Sequence, residues 1–182
     1  LDDTLDSSVT VEEIWQGMEQ LYDAGLAKAI GVSNWSVSQM ERVLAIARIP
    51  IHVAQNEIHI YFPQTRLLNF CRRNNIAITS FASLGSPSRQ KAAWVPLLLS
   101  HFIDAPNMMM EPIIVELAHK YEKTPAQVLL KYLVQRRIAV IPKSSNPDRV
   151  RENIDIFDFK LEQEELEALN HVKHRQLMFT HP

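Results

Sequence analysis

The sequence predicts an α/β chain with parallel strands. Helical stripes alternate with short β-branched runs, and the first three predicted strands begin at Lys28, His52 and Ile76, an even spacing of about 24 residues. Strands separated by helices run parallel through right-handed crossovers. This leaves a doubly wound sheet or part of a (β/α)8 barrel.

Each element has its own signal. Thr10 with Glu13 forms a capping box, and the apolar stripe Ile14, Trp15, Met18, Leu21 and Tyr22 stops at Gly25, a suitable residue just past a helix end. Lys28 to Ser33 reads as a short buried strand. Ser36 with Gln39 caps a second helix carrying Met40, Val43, Leu44 and Ala47 on one face. A strand from His52 to Glu57, a helix from Thr65 to Asn74 and a strand from Ile76 to Phe81 follow.

Beyond Phe81 come a Gly/Ser/Pro loop (Ser83 to Ser88) and two helices, the second opening at Thr124-Pro125-Ala126-Gln127 with Val128, Leu129, Tyr132 and Leu133 on its buried stripe. A last strand, Ile138 to Ile141, ends in Pro142-Lys143-Ser144. Asn146-Pro147 caps a helix to about Asn153, and a final helix runs from Gln163 to Val172. The whole chain, 1–182, shows no internal boundary and is expected to form a single domain.

Composition narrows the function classes. With 182 residues, a net charge of −2 and 46% hydrophobic residues, the chain lies in the globular range, and its scattered Lys and Arg form no footprint for nucleic acid or an anionic membrane. Its longest apolar runs, such as Trp94 to Leu99, fall far short of the roughly 20 residues a membrane span needs. One cysteine, Cys71, sits at helical spacing with Leu67 and Leu68 and reads as a core residue, so the expected compartment is cytoplasmic. The four glycines are too dispersed for a dinucleotide fingerprint or a P-loop, so any nucleotide phosphate would be held by other means.

In parallel α/β chains, functional groups gather where strands end and helices begin. Here those junctions are polar: Ser33-Asn34, Gln55-Asn56-Glu57, Phe81 to Ser88, and Lys143-Ser144 before the Asn146 cap. The last combines a helix N-terminus with free backbone N–H groups, hydroxyls, Lys143 and Arg149, a set suited to an anion. The alternative is that Lys143 and Arg149 are surface charges pairing with Asp148 or Glu152. Ser33, Asn34 and Gln55 could grip an amide or sugar or simply cap turns, and Phe81 could stack on a flat ring or close the core.

The segments G-L-A-K-A-I-G-V-S-N-W, V-A-Q-N-E-I-H, A-I-T-S-F-A-S-L-G-S-P and I-P-K-S-S-N-P-D-R-V-R-E-N, in that order, resemble the aldo/keto reductase superfamily. The likeness extends to Thr124–Leu130 and Phe157–Leu166. It implies a (β/α)8 TIM barrel binding NADP(H) and reducing an aldehyde or ketone, a small carbonyl substrate, to an alcohol. By resemblance, Ser33, Asn34 and Gln55 would hold the nicotinamide carboxamide and Phe81 would stack on its ring. Ser83, Leu84 and Ser86 would line the pyrophosphate. Lys143, Ser144 and Arg149 would hold the 2′-phosphate, with Glu152 and Asn153 at the adenine.

Several positions depart from the pattern. Phe81 stands where tyrosine is usual, Ala82 where a serine is common, and Ser88 where an acidic residue often clasps a loop. The family's catalytic Asp, Tyr, Lys and His belong to strands upstream of all four segments. Together with the Leu start, this leads to the expectation of the C-terminal half of a barrel, inactive by itself, from a parent expected to act as a monomer. The alternative is a truncated nucleotide-binding or interaction protein without turnover. Trp94 and Met108 to Met110 could wall a substrate pocket or cover the core. A metal site on Gln55, Glu57 and His59 lacks a second ligand cluster, and Gly31-Val32-Ser33-Asn34-Trp35 lacks the second glycine of a nucleophile elbow.

Overall fold

A computed structural model describes residues 8–86 and 106–179. Trp94 and Ser88 lie outside the described residues. The described chain divides into two units, one of residues 8–56 and 64–79, the other of 57–63, 80–86 and 106–179.

In the first unit, helix α1 (Val11–Asp23) opens on the expected capping box, with Thr10 N–H donating to Glu13 at 2.8 Å and Glu13 N–H to Thr10 Oγ1 at 3.2 Å. It closes on a Schellman pair: Gly25 N–H reaches Tyr22 O, Leu26 N–H reaches Leu21 O, and Gly25 takes φ +70°. The inward face differs from the predicted stripe. Ile14 and Leu21 are 46% and 45% exposed, while Trp15 and Glu19 are buried. The reason is polar: Trp15 Nε1 donates to Ile49 O at 3.2 Å, and the Glu19 carboxylate accepts the N–H groups of Arg48 and Ile49 at 2.7 and 2.8 Å. These bonds, four residues apart on α1, fix which side turns inward.

Strand β1 (Gly31–Ser33) pairs in parallel with β2 (Val53–Glu57), in the register Gly31 to Val53, Val32 to Ala54 and Ser33 to Gln55. The strands approach so closely that a Cβ on Gly31 would lie 2.2 Å from Val53 O. Helix α2 (Val37–Leu44) connects them, capped by Ser36 and Gln39 as expected, and buries Met40 and Val43. Helix α3 (Thr65–Arg73) buries Leu67, Leu68, Phe70 and Cys71 and leads into β3 (Ala77–Phe81). Burial pushes the Cys71 thiol up to about 11. The strands are shorter than predicted, although pairing continues past their ends through His52 N–H to Ile30 O at 3.0 Å.

In the second unit, a 3-10 turn (Met108–Met110) precedes α4 (Pro112–Lys120), then α5 (Pro125–Gln135), β4 (Ala139–Val140), α6 (Pro147–Ile154) and α7 (Gln163–Asn170). The Thr124/Gln127 capping box and N1 proline of α5 are as predicted, and Val128, Leu129, Tyr132 and Leu133 are buried. Gln135 clamps Leu161 through both backbone groups, at 3.0 and 2.7 Å. Lys131, also buried, donates to Ile156 O at 2.8 Å and lies over the Phe159 ring. Among the described residues, no helix is long and apolar enough to cross a membrane.

Candidate functional site

The predicted site residues fall into two sets, one in each unit. In the first, Ser33 ends β1 and is exposed, and Asn34 continues at φ +62°, its N–H donating to Gln55 O at 3.0 Å. A left-handed conformation suits asparagine better than most residues, so the turn after β1 is set by sequence and by strand pairing. Gln55 is half-buried. Its neighbour Asn56 points to the opposite face of β2, is only 6% exposed, and has a buried Oδ1 without a hydrogen-bond partner.

In the second unit, Phe81 ends β3 and its ring packs edge to face against Phe179, with centroids 5.4 Å apart. The turn that follows is tight. Ala82 and Ser86 take φ +51° and +50°, and a Cβ on Gly85 would approach Met108 Cε at 3.0 Å. Ser83 is buried with its hydroxyl donating to Ser80 O at 3.1 Å and 2.8 Å from Ser80 Oγ, so its side chain is engaged within the fold. The backbone N–H groups of Ser83, Leu84 and Ser86 take no part in hydrogen bonds among the described residues.

The junction before α6 departs from expectation in one respect. Pro147 has no N–H, and Asn146 Oδ1 accepts the N–H groups of both Asp148 (2.8 Å) and Arg149 (3.3 Å). The backbone donors expected to be free are therefore capped, because asparagine is itself a strong N-cap. An anion here would meet side chains instead. Ser144 Oγ accepts the Asn146 N–H at 3.1 Å. Lys143 and Arg149 are exposed and make no ion pair among the described residues, because Asp148 is taken by Arg151 at 2.8 Å. Glu152 and Asn153, one turn on, are half-buried.

Three features were not anticipated. The Glu57 carboxylate accepts the Phe179 N–H at 3.0 Å and the Met178 N–H, and its Oε1 lies 2.8 Å from His59 Nε2. Met178 is buried as a result, and Phe179 is brought onto Phe81. His59 is fully buried, and among the described residues no group of three His, Cys, Asp or Glu could hold a metal. The third feature is a cleft of about 390 Å³ in the first unit, lined by residues around the start of α2, Asn56 and the start of α3. Only the alternation of β2 side chains hinted that Asn56 faces away from Gln55.

Parallel β/α units with polar strand ends define an α/β chain of the kind that places ligand contacts at its strand–helix junctions. The chain belongs to the aldo/keto reductase family, whose sequence pattern matches residues 3–174. It is 43% identical over 161 residues to a probable NAD(P)H-dependent D-xylose reductase of Emericella nidulans, covering 88% of this chain and 49% of that protein. With aldo-keto reductase family 1 member A1 of Gallus gallus it shares 40% identity over 155 residues, 85% of this chain and 45% of the relative.

Among solved structures, the aldose reductase of Schistosoma japonicum superposes with a TM-score of 0.81 at 35% identity, over 97% of this chain and 54% of that one. An aldo-keto reductase of Bombyx mori, solved in complex with NADP, gives 0.80 at 34% identity, over 93% and 52%. The fold is thus the α/β barrel type of this family. The chain spans about half the length of the curated relatives it matches.

Proposed function

We propose that this chain supplies the NADP(H)-holding residues of a reductase that converts an aldehyde or ketone to an alcohol. The observation that carries the reading is the pair Lys143 and Arg149, exposed at the start of α6 and free of carboxylate partners among the described residues. Two unpaired cations beside a helix N-terminus suit a dianionic phosphate, and the ribose 2′-phosphate of NADPH is such a group. The Emericella relative's NAD(P)H dependence and the Bombyx structure's NADP support the same choice.

When bound, the cofactor supplies hydride; this chain's residues hold and orient it. Lys143, Ser144 and Arg149 would contact the 2′-phosphate through side chains, while Glu152 and Asn153 would face the adenine. The backbone N–H groups of Ser83, Leu84 and Ser86 would take the pyrophosphate, since the Ser83 hydroxyl is engaged with Ser80. Ser33, Asn34 and Gln55 would hold the carboxamide, and Phe81 would present its ring to the nicotinamide and fix the reacting face. Trp94 would border the carbonyl substrate.

By resemblance, the family's catalytic Asp, Tyr, Lys and His belong to strands upstream of the matched segments, so the 182-residue chain alone is proposed to bind NADPH without turning over a carbonyl. The test pairs a fluorescence titration with NADPH against an assay with 4-nitrobenzaldehyde. Binding without turnover is the expected result. Turnover by the unaccompanied chain would overturn the division of labour, and absence of NADPH binding would overturn the cofactor assignment.

A further inference from the structure

Helix α6 bears the proposed 2′-phosphate and adenine contacts, yet none of its eight residues is buried, and Val150 and Ile154 are 52% and 69% exposed. The Asn146 cap and the pair of Asp148 with Arg151 stay within the helix. Most helices take their stability and their place from a packed face. Without one, α6 is placed by the groups that hold its ends.

At the C-terminal end those groups come from α5. Gln127 Nε2 donates to Asp155 O at 2.7 Å, and Lys131 Nζ donates to Ile156 O at 2.8 Å. Asp155 is the cap of α6, and Ile156 next to it is buried. Gln127 and Lys131 lie four residues apart on one face of α5, and both are themselves buried. Lys131 is the more telling of the two. A buried ammonium is costly unless it is hydrogen-bonded, and its hydrogen bond among the described residues is the one to Ile156 O, with the Phe159 ring centre 5.2 Å away. An apolar side chain of similar length would pack at such a site at least as well, so the charge serves the segment leaving α6.

We infer that Lys131, with Gln127, is a positioning residue for the nucleotide: it fixes the C-terminal end of α6 and so sets where Arg149, Glu152 and Asn153 stand. The role rests on the proposed function, because it requires α6 to meet the adenosine end of NADPH. Side chains on an exposed helix grip a ligand well only when the helix itself is fixed, since a displacement of about 1 Å is enough to loosen a site. Gln127 Oε1 is occupied by the α5 capping box, where it accepts the Thr124 N–H at 2.9 Å. Its hold on α6 is therefore the Nε2 group alone.

The test is a chemical-shift titration of the full chain, labelled with nitrogen-15, with adenosine 2′,5′-bisphosphate, the part of NADPH that α6 would meet, well below the melting temperature. Lys131→Met and Gln127→Glu, the second of which keeps the capping oxygen, are each expected to weaken binding at least fivefold. In a chain already carrying Arg149→Ala and Asn153→Ala, Lys131→Met should weaken it by less than twofold further, because the contacts it places are gone. Hydrogen exchange at the Val150 to Ile154 amides should quicken at least fivefold in Lys131→Met, with α2 unchanged. A fivefold loss that persists in the doubly substituted chain, full affinity in Lys131→Met, or unchanged α6 exchange would overturn the role. An unmodified chain that binds the bisphosphate no tighter than adenosine 5′-monophosphate would instead overturn the cofactor reading itself, and the role with it.

Discussion

The junction after β1 and the junction before α6 present their polar groups in opposite ways. In the first unit, Asn34 and Gln55 are neutral and tied to the strand ladder, with the Asn34 N–H on Gln55 O and Gly31 wedged against Val53. In the second, Lys143 and Arg149 stand exposed, and the helix N–H groups between them are already capped by Asn146. On the proposed function, the difference separates orientation from charge recognition. Groups fixed by backbone pairing set geometry and contribute to stability, whereas the unpaired surface cations would select a ligand's charge without supporting the fold.

The largest effect that would sharpen this contrast is expected from Lys143→Ala combined with Arg149→Ala. Charge-assisted contacts are worth about 1.5–3 kcal/mol each, so losing two should weaken NADPH by roughly a hundredfold or more. NADH binding should barely change, and a thermal melt should stay where it was. Titration of both dinucleotides checks this, and a large drop in Tm would break the separation of recognition from stability.

Gly31→Ala is the mirror experiment. The added methyl would meet backbone at 2.2 Å, and overpacking of this kind costs about 1–3 kcal/mol. For a chain of this size that is a fall in Tm of roughly 2–4 °C per kcal/mol. Calorimetry measures it, and an unchanged Tm would show that the strands can part without penalty.

Phe179→Ala should have a smaller effect. The Phe179 ring occupies one side of Phe81 in edge-to-face contact, and such pairs are worth about 0.5–1.5 kcal/mol. On the proposed function, a nicotinamide stacked on Phe81 would compete with that contact, so the variant should bind NADPH about two- to tenfold tighter. Weaker binding would show that Phe179 supports the ring's position.

The smallest effect concerns pH. A hydrogen bond from Arg42 holds Glu12 below its usual value of 4.5. Burial raises Glu165, but bonds from Lys120, Tyr121 and the Glu162 backbone more than offset this and leave it below 4.5. Both carboxylates bind protons more readily when the chain is unfolded. Their contribution is therefore complete above about 4.5 and is lost as pH falls through the folded values. Melts recorded from about pH 7 down to about pH 3 should begin to fall near that point, more gently at high salt.

Much of this was legible because local chemistry set it. The three Ser/Thr capping boxes, the Asn146-Pro147 start and the Gly25 stop each depend on residues within one or two turns, and each formed as predicted. Tertiary pairing decided what was missed. The inward face of α1 follows from Glu19 meeting a turn 29 residues away, and the hold on Phe179 follows from Glu57, 122 residues earlier in the chain. The capped N–H groups of α6 are readable in principle from Asn146 as a cap, since a good cap removes the donors an anion would use.

The most direct test is the ratio of NADPH to NADH dissociation constants for the unmodified chain, measured by fluorescence at fixed low salt. If Lys143 and Arg149 read a 2′-phosphate as proposed, NADPH must bind at least about tenfold tighter than NADH, equivalent to about 1.4 kcal/mol. Equal affinity for the two dinucleotides would contradict it.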